Sequence, residues 1–175
     1  MKRIFIIVLG LILIACSNQK TFELPVEEYP KTFTQEVNEL PKENQEKMKV
    51  PTKFPFKVEY KNFSKDQMRN GKVLLTAVDF SHVDAKHKDR INIHFTTMHT
   101  ENLETNIDTN QMIDLNDEIK AKIKKDEDHS KIIEWTDKDN ITHNLGMMTS
   151  DYHEPISLQQ LVIMANSLMK VSLNK

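Results

Sequence analysis

Seven histidines are the residues most able to do chemistry in this 175-residue chain: His82, His87, His94, His99, His129, His143 and His153. The stretch His82-Val83-Asp84-Ala85-Lys86-His87 offers two imidazoles and a carboxylate to a metal from one loop, and His94 can join from the next strand. The intervals match no known ligand spacing, and Lys72, Lys86, Lys88 and Arg90 crowd the region with positive charge. Solvated loop histidines are the plainer reading, so no metal is expected. Met147-Met148, with Met164 and Met169, has the softness for copper, but Met164 and Met169 fall on or near an apolar helical face and read as packing. Asp137, Asp139 and Asp151 flank turns, where carboxylates cap or solvate loops. Trp135 stands among Ile132, Ile133 and Ile141, which suits a core anchor better than a sugar platform.

Hydrolase, zincin and phosphate-loop signatures are absent. The chain has three glycines, too few for a glycine-rich phosphate cradle. The lone cysteine, Cys16, is the single candidate thiol nucleophile, and its position argues for another role. No catalytic residue and no cofactor are expected, and the chain reads as a non-enzyme.

Cys16 closes an apolar run. Lys2 and Arg3 lead into Ile4–Ala15, twelve residues broken only by Gly10. A membrane-spanning helix needs about 20 apolar residues, so the run fits a secretory signal instead. Leu13-Ile14-Ala15-Cys16 resembles the lipobox of bacterial lipoproteins. The resemblance implies Leu13 as the apolar anchor position, Ile14 as a tolerated bulky residue, Ala15 as the residue before the cut, and Cys16 as the lipid-bearing new N-terminus. Two acyl chains hold a protein on a bilayer where one is marginal. The expected location is therefore the cell membrane, lipid-anchored and facing the extracytoplasmic side.

Without residues 1–15, 22 Lys and Arg stand against 26 Asp and Glu, a net charge of −4. That balance offers no basic patch for nucleic acid and little electrostatic pull toward an anionic bilayer. No cysteine is left for a disulfide, so stability rests on one hydrophobic core.

Residues 16–50 read as a polar tether containing Pro25, Pro30 and Pro41. Such a length reaches on the order of 100 Å fully extended and about 30 Å as a flexible coil. Phe33, Val37 and Leu40, at i, i+4 and i+7, predict a short amphipathic helix within it that can dock on the domain.

The globular domain is expected over 51–175. Phe54, Phe56, Val58 and Tyr60 alternate with polar residues and Pro55, predicting a first strand near a sheet edge. Asn70-Gly71 signals a turn before a strand at 72–80. Residues 82–89 read as a charged loop, 90–98 as a third strand, 100–117 as irregular, and 118–125 as a fourth strand. Ile132–Thr136 and Ile141–Met147 form a hairpin closed by Asp137-Lys138-Asp139-Asn140. Ser157 and Gln160 make a capping box before Leu158, Leu161, Val162, Ala165, Leu168 and Met169 at helical spacing. The sum is an α+β domain of about six antiparallel strands under one C-terminal helix.

Three stretches, VPTKFPFKVE, IIEWTDKDNITHNLG and ISLQQLVIMANSL, resemble an uncharacterised domain family of Gram-positive surface lipoproteins, over about residues 50–170. The resemblance implies a curved, half-barrel-like antiparallel sheet with helical cover. His143 departs from it, standing where an aromatic residue is expected. The function expected is non-enzymatic binding of an envelope lipid, peptide or other ligand, a reading that an enclosed apolar cavity lined by Phe54, Phe56, Val78, Phe95 and Trp135 would favour. The alternative is an interaction or sensing module that docks on a membrane protein or the cell wall. A hydrolase assembled from scattered polar residues is the third reading. The expected partners are the membrane, through the lipid, and an unknown envelope ligand or protein.

Overall fold

The computed structural model describes residues 20–83, 90–100, 111–150 and 155–171. Leu13, Ile14, Ala15 and Cys16 lie outside these residues, as do Asp84, His87, Asp151 and His153.

The described residues open with a two-residue strand β1 (Phe22–Glu23), helix α1 (Lys31–Asn38), a single helical turn α2 (Lys42–Gln45), and strands β2 (Lys49–Pro51) and β3 (Lys53–Phe54). Then come β4 (Glu59–Gln67), β5 (Val73–Val83), β6 (Arg90–Met98), β7 (Met112–Asp114), β8 (Lys120–Glu127), β9 (Ser130–Thr136) and β10 (Thr142–Thr149). Helix α3 (Leu158–Ala165) and strand β11 (Leu168–Lys170) follow. Strands β4 to β10 form one antiparallel sheet of seven, ordered β4-β5-β6-β10-β9-β8-β7, which does not close into a barrel. Two strand pairs, β1 with β3 and β11 with β2, lie outside it.

The α+β class and the C-terminal helix are as expected, but the sheet has seven strands rather than six. The seventh is β7, inside the stretch expected to be irregular. The first strand is also divided. Pro55 has no N–H to give a ladder, and the chain leaves β3 before it and enters the seven-stranded sheet only at Glu59. β6 spans the expected 90–98.

Cross-strand partners share a face of a sheet. Phe63, Val78, Phe95, Leu145 and Ile133 are successive partners across five strands, and none is more than 7% exposed. This row is the spine of the core. The next row is more polar: Thr76, Thr97, His143 and Trp135.

The expected tether is folded from Phe22 onward. Phe33 and Val37 on α1 are 0% exposed, Leu40 is 3%, and Tyr29, Met48 and Val50 join the same core. The helix expected there is present and docks through the expected residues. Pro25, Pro30 and Pro41 mark helical starts rather than linker: each immediately precedes a helical turn, with φ of −59°, −57° and −53°. A proline ring holds φ near −65° and its missing N–H costs nothing at a helix entry. Aromatic contacts hold this segment in place. Tyr29 lies 4.9 Å from Phe33 and 6.0 Å from Phe80, and Phe33 lies 5.9 Å from Phe63. The Tyr29 hydroxyl donates to the Pro51 carbonyl at 2.8 Å.

The capping box forms: the Ser157 N–H donates to Gln160 Oε1 at 2.9 Å. The helix stops at Ala165, short of the expected Leu168 and Met169. Ser167 Oγ donates back to the Met164 carbonyl at 2.8 Å and accepts from the N–H groups of Thr52 and Lys53. Those bonds turn the chain into β11, where it pairs with β2. Met169 is accordingly 57% exposed on β11, not packed on a helix face, while Met164 is fully buried.

Candidate functional site

The polar row at one end of the core holds a connected cluster of side chains: Lys49, Thr97, Asp137, Asp139 and His143. Asp137 directly follows β9 and opens the hairpin loop, which Asn140 turns with φ of +59°. That left-handed conformation is one that asparagine tolerates. The carboxylate folds back over its own loop. Its Oδ1 accepts from the N–H groups of Asp139 at 2.9 Å and Ile141 at 3.0 Å. Its Oδ2 accepts from Lys49 Nζ at 2.5 Å and from His143 Nε2 at 3.1 Å. Four donors thus satisfy one carboxylate that is 7% exposed. Lys49 also reaches Asp139 at 2.7 Å.

His143 is fully buried. Its ring stacks on Phe95 at 5.5 Å and 20°, with Trp135 at 5.4 Å. It therefore packs as an aromatic ring within the core. Its Nδ1 lies 3.2 Å from Thr97 Oγ1. With Nε2–H donated to Asp137, Nδ1 is left to accept from the Thr97 hydroxyl.

The electrostatics follow from burial and partners. Burial pulls the His143 pKa down and outweighs the raising effect of Asp137, so the ring is neutral near pH 7. Burial alone would raise Asp137, but the bonds from His143, Lys49 and the Ile141 N–H together hold it well below the usual carboxylate range. Burial would lower Lys49, and its bonds to Asp137 and Asp139 raise it instead. His99 lies nearby, just past the end of β6, with Nε2 3.0 Å from Thr76 Oγ1 and Nδ1 buried without a partner. Burial first, then Lys47 and His143, push it down to about 4.

Thr97, His143 and Asp137 have the connectivity of a hydroxyl–imidazole–carboxylate relay, the arrangement that activates a nucleophile. Burial argues against that use. Thr97 is 1% exposed and His143 0%, so a substrate carbonyl has no approach to the hydroxyl without opening the core. What the network does is join: Lys49 belongs to the N-terminal segment, Asp137 to the β9–β10 hairpin, and Thr97 to the middle of the sheet.

The histidine metal candidates separate. Asp79 and His94 are register partners on one face, and His94 Nδ1 lies 2.6 Å from Asp79 Oδ1. His82 projects from the other face, where its ring meets Phe56 at 4.9 Å and its Nδ1 contacts the Lys57 carbonyl at 2.6 Å. Two imidazoles on opposite sides of a sheet cannot share an ion. Among the described residues no group of three or more His, Cys, Asp or Glu side chains is placed to hold a metal. Met147 is fully buried while its neighbour Met148 is 51% exposed, the alternation of a strand rather than a pair of ligands. Trp135 is 4% exposed, a core anchor.

The proposed cavity lining also disperses. Phe54 packs on Phe80 at 5.0 Å, Phe95 lies against His143 and Trp135 at the other end of the core, and Phe56 leans on His82. A shallow surface cavity of about 140 Å³ lies elsewhere, between α1 and β4, lined by Glu36, Glu39, Phe63, Ser64 and Lys65.

Lys49 and Thr97 belong to no motif of the sequence, and His99 stands out in it only as one of seven histidines. For His143 the signal lies in period two, since Ile141, His143, Leu145 and Met147 share one parity and all are buried. Lys49 has no such local signal. Comparison with family models, curated proteins and solved structures yields no significant match. No helix of the described residues is long and apolar enough to cross a membrane.

Proposed function

We propose that this chain is a bacterial lipoprotein, held on the extracytoplasmic side of the cell membrane through lipid on Cys16, whose folded part docks on an envelope partner and catalyses nothing. The anchoring half of the proposal rests on the Leu13-Ile14-Ala15-Cys16 resemblance and the short apolar run before it. The docking half rests on one observation: the relay histidine and two of the aromatic residues named for a cavity lining are spent on packing one another, with His143 at 0%, Phe95 at 1% and Trp135 at 4% exposure. The half-barrel curvature implied by the family resemblance is retained in this reading as a shape, not as a lipid-filled trough.

Purification of the native lipoprotein from membranes after brief chemical crosslinking, followed by mass spectrometry, tests the docking half. A recurrent crosslinked envelope protein supports it. A stoichiometric lipid or peptide recovered from the uncrosslinked protein overturns it in favour of a carrier. The anchor is tested separately by Cys16→Ser, which is expected to release the protein from membranes or to leave it as uncleaved precursor. Tight membrane association with normal cleavage sinks the anchor.

A further inference from the structure

We infer that the folded domain rides directly on the bilayer with its β1–β3 end toward the lipid, instead of standing off on a long tether; this rests on the lipid anchor at Cys16 proposed above. The argument is one of chain length. In β1, Phe22 is the register partner of Phe54 and Glu23 of Lys53. Phe54 in turn packs on Phe80 of the seven-stranded sheet at 5.0 Å, so β1 is fixed to the body of the domain. Lys20 is already held at this end, its Nζ 5.2 Å over the Phe22 ring. Only six residue steps separate Cys16 from Phe22. At no more than about 3.5 Å per residue, Phe22 lies within about 20 Å of the anchored residue, however the leash is arranged. The expected 35-residue tether would have allowed on the order of 100 Å.

The geometry also orients the molecule. β5 runs from Phe80, under Phe54, back to Val73 and the Gly71 turn. Nine residues of strand and turn at about 3.3 Å each set that turn close to 30 Å from the β1–β3 end. A leash shorter than that distance keeps the near end at the membrane and presents the Met68–Lys72 turn to the space beyond. The bilayer partner is reached through the acyl chains and not through charge: the surface beside β1 mixes Lys20 and Lys53 with Glu23, and Lys53 and Glu23 pair weakly at 3.7 Å.

The absence of any cysteine but Cys16 makes the test direct. Lys53→Cys and Arg69→Cys, both exposed positions, are labelled with a donor dye in the full-length lipidated protein, reconstituted into phosphatidylglycerol–phosphatidylethanolamine vesicles carrying a headgroup acceptor. The expected result is a Lys53-position label within about 25 Å of the vesicle surface and an Arg69-position label distinctly farther out. Inserting fifteen Gly/Ser residues between Gln19 and Lys20 adds about 20 Å of mean reach, and should move both labels outward and shrink the difference between them. Vesicle-bound protein whose two labels are equally distant, or whose Lys53-position label ignores the insertion, overturns the close mounting while leaving the anchor intact. Protein that fails to enter the vesicle fraction overturns the anchor and the mounting together.

Discussion

Lys49 and Asp137 are 88 residues apart in the chain and meet at 2.5 Å, with side chains 12% and 7% exposed. One lies on β2 in the N-terminal segment, the other at the mouth of the β9–β10 hairpin. Removing one partner of a buried pair leaves the other charge without compensation, which is costlier than the pair's own net worth. Asp137→Asn is therefore expected to lower stability by about 3 kcal/mol, since it also weakens the acceptor for His143 and the loop N–H groups. Lys49→Met is expected to cost about 1 kcal/mol, because Asp137 keeps three other donors. Urea denaturation of the two variants checks the order; equal losses would contradict it.

Phe33 decides whether the N-terminal segment is tether or core. Its side chain is 0% exposed and packs on Tyr29, Tyr60 and Phe63. Phe33→Ala should cost about 3–5 kcal/mol, the usual range for an aromatic removed from a closed core. A residue in a free tether would change stability by nothing measurable. Thermal unfolding followed by circular dichroism separates the two.

Acid should weaken the fold in a defined window. His143 and His99 both have pKa values lowered by burial, His99 to about 4. A histidine whose folded pKa lies below its unfolded value of about 6.5 binds fewer protons when native. The stability this represents is complete above pH 6.5 and declines as pH falls toward the folded values. Asp137, whose pKa is depressed, contributes in the same direction only below about pH 4, where unfolded carboxylates take up protons. The urea midpoint should thus drop between pH 7 and pH 4, and His99→Phe should flatten the drop. A midpoint constant across that range, or unchanged in slope by the substitution, refutes the assignment.

Ser167 closes the chain end on the N-terminal segment. Its Oγ accepts from the N–H groups of Thr52 at 3.1 Å and Lys53 at 3.0 Å, and is 8% exposed. Ser167→Ala leaves the Lys53 N–H without that partner and should cost about 1–2 kcal/mol. Hydrogen exchange at the Thr52 and Lys53 amides should quicken more than at the amides of β6. Exchange unchanged at residues 52 and 53 would deny the serine this role.

Much of the fold is legible residue by residue because its causes are local. Period two in 90–98 sets β6, since a strand sends alternate side chains to opposite faces. Asp137-Lys138-Asp139-Asn140 makes the hairpin, Ser157 and Gln160 start α3, and Phe33 and Val37 make the buried face of α1, with Leu40 just beyond it. Each depends on neighbours two to seven residues away, and chain geometry alone brings those together.

What tertiary structure decided are the meetings that no local pattern encodes. Three prolines and many charges between residues 16 and 50 read as linker until an apolar sheet face is present for Phe33 and Val37 to cover. Leu168 and Met169 keep helical spacing, yet Ser167 finds Thr52 and Lys53, and the chain becomes a strand. His82 and His94 lie on neighbouring strands and are divided by the thickness of the sheet. Lys49 comes to Asp137 because β2 is carried there by its pairing with β11 and by the core beneath it. Periodicity tells which side of an element is apolar; which surface it meets depends on the free energy of the whole assembled core.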